Sequence, residues 1–412
     1  MSMPNAAPPV IPAHVPPDLV CQFDIYGLAV GDDPQAALAR QLLEGPRVFY
    51  MPRSMRNPAG FGSWVFTRAD DIRAILQDTV HFSSEGIARF DRMTGDAEPW
   101  LAFPVEADPP QHTQYRALLN PLFSPARVKA HEAAMRSHTV RLIEEVAASG
   151  ACDMVLLARK LPAGIFSVLL GLSIDETLAV VDCVKQVLHS GYDIDKMRAG
   201  AKGIMAIEAE LIERRRRQPG DDLISIALAS KIEGRPLTGT EIRGIFFFFL
   251  FAGLDTIAGA TGFLFRYLAE HPEARRRLAA EPNKIPDAIE DSLRRHGQIT
   301  TNRFVKEDVE LGGVVLKRGD NVLCPLTLAN LDPALAPDPL SVDIDRSPNP
   351  HLAFGAGPHR CIGSNIARLQ MRVTVEEWLR RIPDFHIPQG GVIRAVNSEA
   401  LVLDTLPLAW TA

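Results

Sequence analysis

A chain of 412 residues with 46% hydrophobic and 23% charged side chains carries ample material for a buried core, which excludes an extended disordered protein. Its 44 Lys and Arg against 50 Asp and Glu leave a net charge of −6, so no general attraction to nucleic acid or anionic lipid is expected. The cysteines Cys21, Cys152, Cys183, Cys324 and Cys361 form no CxxC pair, which argues against a disulfide framework or a structural zinc and suits a reducing compartment, the cytoplasm.

The opening stretch, MSMPNAAPPVIPAHVPPDLV, lacks the basic flank and apolar core of a signal peptide and is broken by prolines. Residues 1–20 read as an extended Pro-rich segment. No Ser/Gly-rich linker or long charge run divides the rest, so residues 21–412 read as a single domain with no membrane span. From 69 to 296 the segments ADDIRAILQD, ARVKAHEAAMRSHTVRLIEEVAAS and DKMRAGAKGIMAIEAELIERRRR repeat apolar residues at helical spacing. Thr240 and Glu241 suggest the start of a long, mostly buried helix running to about Glu270. After Gln298 the texture changes. VELGGVVL predicts two short strands about Gly312 and Gly313, and DNVLCPLTL a further strand. Residues 332–360 look irregular, SNIARLQMRVTVEEWLRRI returns to helical period, and GVIRAVNSEALVLDTLPLAW predicts a closing hairpin. The expected fold is α+β, mainly helical, with small β-sheets segregated from the helices.

Two stretches carry chemistry. In FGAGPHRCIG, residues 354–363, glycines permit a tight loop that presents Cys361 just before a helix N-terminus, where free N–H groups favour a thiolate. In IFFFFLFAGLDTIAG, residues 245–259, a carboxylate and a hydroxyl interrupt a run that should be core. Helical geometry puts Phe248, Ala252 and Thr256 on one stripe and Asp255 about 100° from Thr256. The Thr256 hydroxyl can bond back to the Ala252 carbonyl or reach outward, loosening the helix locally and leaving room for water. Phe246, Phe247 and Phe249 belong to the core.

FGAGPHRCIG resembles the haem-binding loop of the cytochrome P450 family at every specified position, and AGLDTI, residues 252–257, is similar to that family's acid–alcohol segment. The resemblance runs from HVPPDL to LPLAW and is closest to the soluble bacterial camphor-hydroxylating branch. It implies haem b held between the long central helix and the cysteine loop, with Cys361 as the axial thiolate that favours O–O cleavage. Phe354 would pack beside the sulfur, and the N–H groups of Ile362 and Gly363 would temper its charge. His112, Arg116, Arg303 and His359 look like the propionate ligands. Cleaving O2 needs protons delivered into an apolar pocket, and Asp255 with Thr256 would gate them.

Asp291 stands where the family usually carries the Glu of Glu-x-x-Arg, with Arg294 in the Arg position and Glu290 as a competing partner at i,i+4. The meander also lacks the usual arginine at the position of Ser341, which puts the buried network at risk. Phe248, Phe251, Ile299 and Ala400, beside Ala252, are expected to wall a substrate pocket, and Trp100 either to donate its indole N–H to a polar substrate group or to serve as a packed lid residue. The implied activity is a monooxygenase hydroxylating a small apolar substrate, a terpenoid or a substituted aromatic. Electrons would pass from NAD(P)H through a separate ferredoxin reductase and a [2Fe–2S] ferredoxin, the chain after its hairpin having no room for a redox module. Arg116, Arg360 and Arg368 would form the ferredoxin's basic docking patch. Alternatives are a non-catalytic haem-binding sensor or carrier, which would not need Asp255 and Thr256; a haem-free helical binding protein; and a peroxide-driven enzyme.

Overall fold

The computed structural model describes residues 10–21, 25, 31–52, 62–88, 100–188, 194–397 and 400–411. Residues 1–9 of the Pro-rich segment, the stretch 89–99 ahead of Trp100 and residues 398–399 of the expected hairpin segment lie outside them. Helices dominate: α1 (Ala69–Gln77), α2 (Gln111–Leu119), α3 (Glu132–Ala147), α4 (Gly239–Glu270), α5 (Ile285–Arg295) and α6 (Ser364–Arg381) frame the site.

The long helix α4 begins two residues earlier than Thr240 suggests. Thr238 is the N-cap, its hydroxyl accepting from the Glu241 N–H while the Glu241 carboxylate accepts from the Thr238 N–H. Glu241 also takes the Tyr115 hydroxyl (2.6 Å) and both Arg235 terminal nitrogens (2.8 Å each), which ties α2 to the start of α4. At the other end the helix stops at Glu270, and Pro272 opens the next segment, where a missing N–H costs nothing. This helix is long and apolar enough to cross a bilayer, but 72% of its apolar window is buried inside the protein, packed in two core clusters.

The expected strands form at Val309–Leu311, Val314–Leu316 and Asn321–Pro325, and Arg394–Asn397 pairs with Leu401–Thr405 as the hairpin. LTL turns instead into a short helix, Leu326–Asn330. The main sheet does not simply follow the helices along the chain. Its five strands, β1 (Val48–Met51), β2 (Ser63–Phe66), β3 (Phe82–Ser83), β4 (Thr300–Val305) and β5 (Asn321–Pro325), stand in the order β1-β2-β5-β4-β3. VFYM and SWVF are buried at every position, so they show no alternation by which period could reveal them. The parallel register Trp64↔Val322 and Val65↔Leu323 joins strands from opposite ends of the chain.

Asp291 accepts the Arg294 guanidinium at 2.7 and 3.2 Å, both residues being fully buried. The network that two replacements put at risk therefore closes by another route. Arg346, five positions beyond Ser341, donates Nε to Asp291 at 2.8 Å, Asn349 and the Asp343 N–H add further donors, and Ser341 contributes its backbone carbonyl to Arg294. Glu290 does not compete for Arg294, because it is taken by Arg368 (2.6 and 2.7 Å) and His351 (3.0 Å). Adjacent carboxylates on α5 thus clamp different segments: Asp291 the meander, Glu290 the approach to the cysteine loop and α6.

Candidate active site

The cysteine loop is shaped by its own backbone. Cys361 N–H donates to the Phe354 carbonyl (2.9 Å), Gly355 N–H to Leu352 (2.8 Å) and Arg360 N–H to Gly357 (3.1 Å), while Gly363 caps α6. Gly357 has φ +68° and lies so near α1 that a Cβ would stand 2.2 Å from the Leu76 carbonyl oxygen. No other residue satisfies both demands. Cys361 is accessible although protein surrounds it, as a residue lining an internal recess must be. Burial raises its thiol pKa, and the Gly363 N–H with the Arg116, Arg360 and Arg368 charges pulls the other way without prevailing. The N–H groups at the helix terminus thus favour the thiolate as expected but are outweighed by burial, and a bound metal ion would tip the balance. Phe354 is half-buried beneath the Arg368 guanidinium, 4.4 Å from its ring centroid.

Four basic side chains from three elements meet beside this loop. The His112 ring from α2 and the His359 ring from the loop are 4.1 Å apart, and the Nε2 atoms of both are buried without a hydrogen-bond partner among the described residues. Burial, then Arg116, holds His112 down at about 4; burial, then Arg303, His112 and Arg116, holds His359 at about 2. Among the described residues Arg303 reaches neutral oxygens, the Asn302 carbonyl (2.7 Å) and the Thr301 hydroxyl (3.3 Å), and Arg116 reaches the Arg360 carbonyl (3.0 Å). Burial lowers the pKa of both guanidiniums. Orphaned donors and guanidiniums without a carboxylate make a cradle for carboxylates, so these residues fit the propionates of a haem. Among the described residues no three or more His, Cys, Asp or Glu side chains converge as a metal cluster.

Along α4 the burial pattern picks out one stripe. Phe248 is half-buried, Ala252 exposed and Thr256 half-buried, whereas Phe247, Phe249, Phe251, Leu254 and Ile257 between them are buried. An exposed alanine in the middle of a core helix marks a recess. Thr256 Oγ donates to the Ala252 carbonyl at 2.7 Å, one of the two expected positions. The helix runs unbroken from Gly239 to Glu270, so the expected local loosening is absent. Asp255, half-buried, occupies the neighbouring helical position.

The wall residues divide. Ile299 and Ala400 meet in an antiparallel bridge. Phe251 stacks on Phe247 at 6.0 Å, and Trp100, 4% exposed, packs edge-on to Phe247 at 5.2 Å, so one buried ring holds both side chains. Sequence reasoning missed Arg346 and the Glu290–Arg368 pair, for which the chain offers no local signal. It also missed Gln298, a polar residue beside Ile299 whose side chain enters the gap between α4 and the closing hairpin.

Fold and site together define a large helical protein that presents an accessible cysteine beside a cluster of basic side chains. The family model "Cytochrome P450" matches residues 193–411. The probable cytochrome P450 127A1 of Sinorhizobium fredii is 39% identical over 407 residues, 97% of each chain, and the mycinamicin IV hydroxylase/epoxidase of Micromonospora griseorubida is 31% identical over 81% of this chain and 85% of its own. Crystal structures of CYP101C1 and CYP101J2, of the camphor-type branch, superpose with TM-scores of 0.87 and 0.85 at 31% and 30% identity, each over 98% of this chain and 100% of theirs. The chain belongs to the cytochrome P450 family. It is a P450 monooxygenase, a haem- and O2-dependent class.

Proposed function

We propose that the chain holds haem b through a Cys361 thiolate and hydroxylates a small apolar substrate, a terpenoid or a substituted aromatic. The carboxylate cradle carries this reading: His112, Arg116, Arg303 and His359 offer beside Cys361 the donors that propionates would take. Phe354 would pack beside the sulfur, and the N–H groups of Ile362 and Gly363 would temper its charge. The haem, once bound, supplies the power to split O2, one atom entering a C–H bond and the other leaving as water.

The chain's own part is to bind, exclude water and move protons. The Thr256 hydroxyl needs one χ1 rotation to turn from the Ala252 carbonyl towards the recess. Asp255 would bring protons to it from water, a task for which a half-buried carboxylate at the next helical position is suited. Phe248, Ala252, Ile299 and Ala400 form the inner wall, backed by Phe251 and Trp100, and such a wall favours a flat or compact ligand. The mycinamicin IV hydroxylase/epoxidase and the 6-deoxyerythronolide B hydroxylase of Saccharopolyspora erythraea support the reaction class by their names.

Residues 21–412 act as a single cytoplasmic domain. Electrons come from NAD(P)H through a ferredoxin reductase and a [2Fe–2S] ferredoxin, which would dock over the cysteine side at Arg116 and Arg360. Arg368 serves the scaffold instead, being held by Glu290.

The ferrous carbon-monoxide difference spectrum of the haem-loaded protein tests the reading. A strongly red-shifted Soret band, lost in Cys361→Ala, is expected; a band typical of imidazole ligation would overturn it.

A further inference from the structure

Gln298 lies between the pocket wall and the acid–alcohol segment. Its backbone carbonyl accepts from Leu401 N–H at 2.9 Å, and the next residue, Ile299, bridges to Ala400, so the main chain here is fixed. The side chain runs against α4 opposite Gly259, where a Cβ would stand 2.3 Å from Gln298 Oε1 and 2.7 Å from Val402 Cγ1. Any larger residue at Gly259 would evict the amide. From that slot Gln298 Nε2 donates to the Thr256 carbonyl at 3.4 Å, while Oε1 is buried with no partner among the described residues. The reverse amide orientation would set oxygen against oxygen, so the NH2 group must face Thr256. An amide buried at the expense of an unsatisfied acceptor is unfavourable in itself, and an apolar side chain would fill the same gap without that cost.

We infer that Gln298 is a positioning residue for Thr256. By giving the Thr256 carbonyl a second donor it fixes the peptide, so that proton delivery involves rotation of the hydroxyl alone and not opening of the helix. The inference rests on the proton-delivery reading of Thr256. It adds a polar contact from outside α4 that makes coupling depend on the hairpin side of the pocket.

The test uses the haem-loaded protein with its redox partners and compares Gln298→Met, Gln298→Glu, Gly259→Ala and Thr256→Ala with the parent. Met preserves the volume and removes the donor. Gln298→Met should divert electrons to peroxide, lowering product per NAD(P)H roughly threefold, and speed amide hydrogen exchange in the peptide around residues 254–262 by a similar factor, the worth of one weak hydrogen bond. Haem content and the carbon-monoxide band should be unchanged. Gly259→Ala, which displaces the amide, should reproduce both effects. A glutamate donates only when protonated, so Gln298→Glu should uncouple at neutral pH and recover coupling on acidification, while Gln298→Met should stay low throughout.

Tight coupling in Gln298→Met, or uncoupling without faster exchange near Thr256, overturns the inference. If Thr256→Ala itself remains coupled, the proton-delivery reading fails first. If Thr256→Ala uncouples and Gln298→Met does not, only the role of Gln298 is lost.

Discussion

The cysteine side and the long-helix side of the recess are built on opposite plans. On the α5 side of the loop, charge answers charge: Glu290 grips Arg368 and His351, Arg368 covers Phe354, and Asp291 gathers Arg294, Arg346, Asn349 and a backbone N–H. Along α4 the surroundings are aromatic and aliphatic, and the polar groups are few: Thr256 bonded to its own helix, Gln298 with an idle oxygen, and Asp255. Buried ion pairs give little net stability but impose geometry, since removing one partner strands the other. Apolar packing tolerates changes of shape more readily. The first plan suits a loop that must hold a ligand atom in one place, the second a wall that decides which molecule fits.

Breaking the charged side should have the largest effect. Asp291→Asn leaves Arg294 and Arg346 buried without a carboxylate and should cost about 3–5 kcal/mol in urea unfolding. A loss below about 1 kcal/mol would show that the network is decorative and would remove the contrast.

Acid should separate the two kinds of group by window. His112 is held at about 4 in the folded chain, chiefly by burial, with Arg116 and Arg303 adding and Asp108 opposing. The unfolded chain therefore binds more protons between pH 6.5 and 4, and the haem-free protein should lose stability as pH falls through that range, on the order of 2 kcal/mol. His112→Phe should flatten that slope, as should haem, whose propionates would stabilise the imidazolium. Burial disfavours the Glu290 carboxylate, but Arg368 and His351 outweigh it and hold its pKa at about 2. Its depressed pKa stabilises the fold above the unfolded value, and that contribution should fade between about pH 4.5 and 2. Equal pH–stability slopes for the parent and His112→Phe between pH 6.5 and 4 would rule out the burial assignment.

On the long-helix side, Thr256→Ala should leave folding within about 0.5 kcal/mol of the parent while most electrons go to peroxide. Product yield per NAD(P)H and calorimetry measure the two separately. The mildest change is Phe248→Leu, which widens the stripe and should improve the affinity of a bulkier ligand by roughly tenfold, read from the spin-state shift. An unaltered ligand ranking would move Phe248 out of the pocket wall.

Much of the site was legible because its residues are close in sequence. The cysteine loop declares itself through glycines and a following helix, and Phe248, Ala252 and Thr256 through helical spacing. Partners that meet only in space were not. Arg346 replaces the arginine missing at Ser341 because the meander folds back on Asp291, and Gln298 reaches Thr256 across 42 positions. The packing of Trp100 and Phe251 on Phe247 was not legible either, since an aromatic side chain reads the same in sequence whichever ring it meets.

The sequence alone determined the helices, the closing hairpin, the loop that presents Cys361 and the stripe on α4, because each depends on backbone propensities and spacings within a few turns. Tertiary structure decided which carboxylate takes which arginine, how β2 joins β5, and which groups remain buried without partners. Those outcomes depend on long-range packing and desolvation, which bring together segments that carry no local mark of one another.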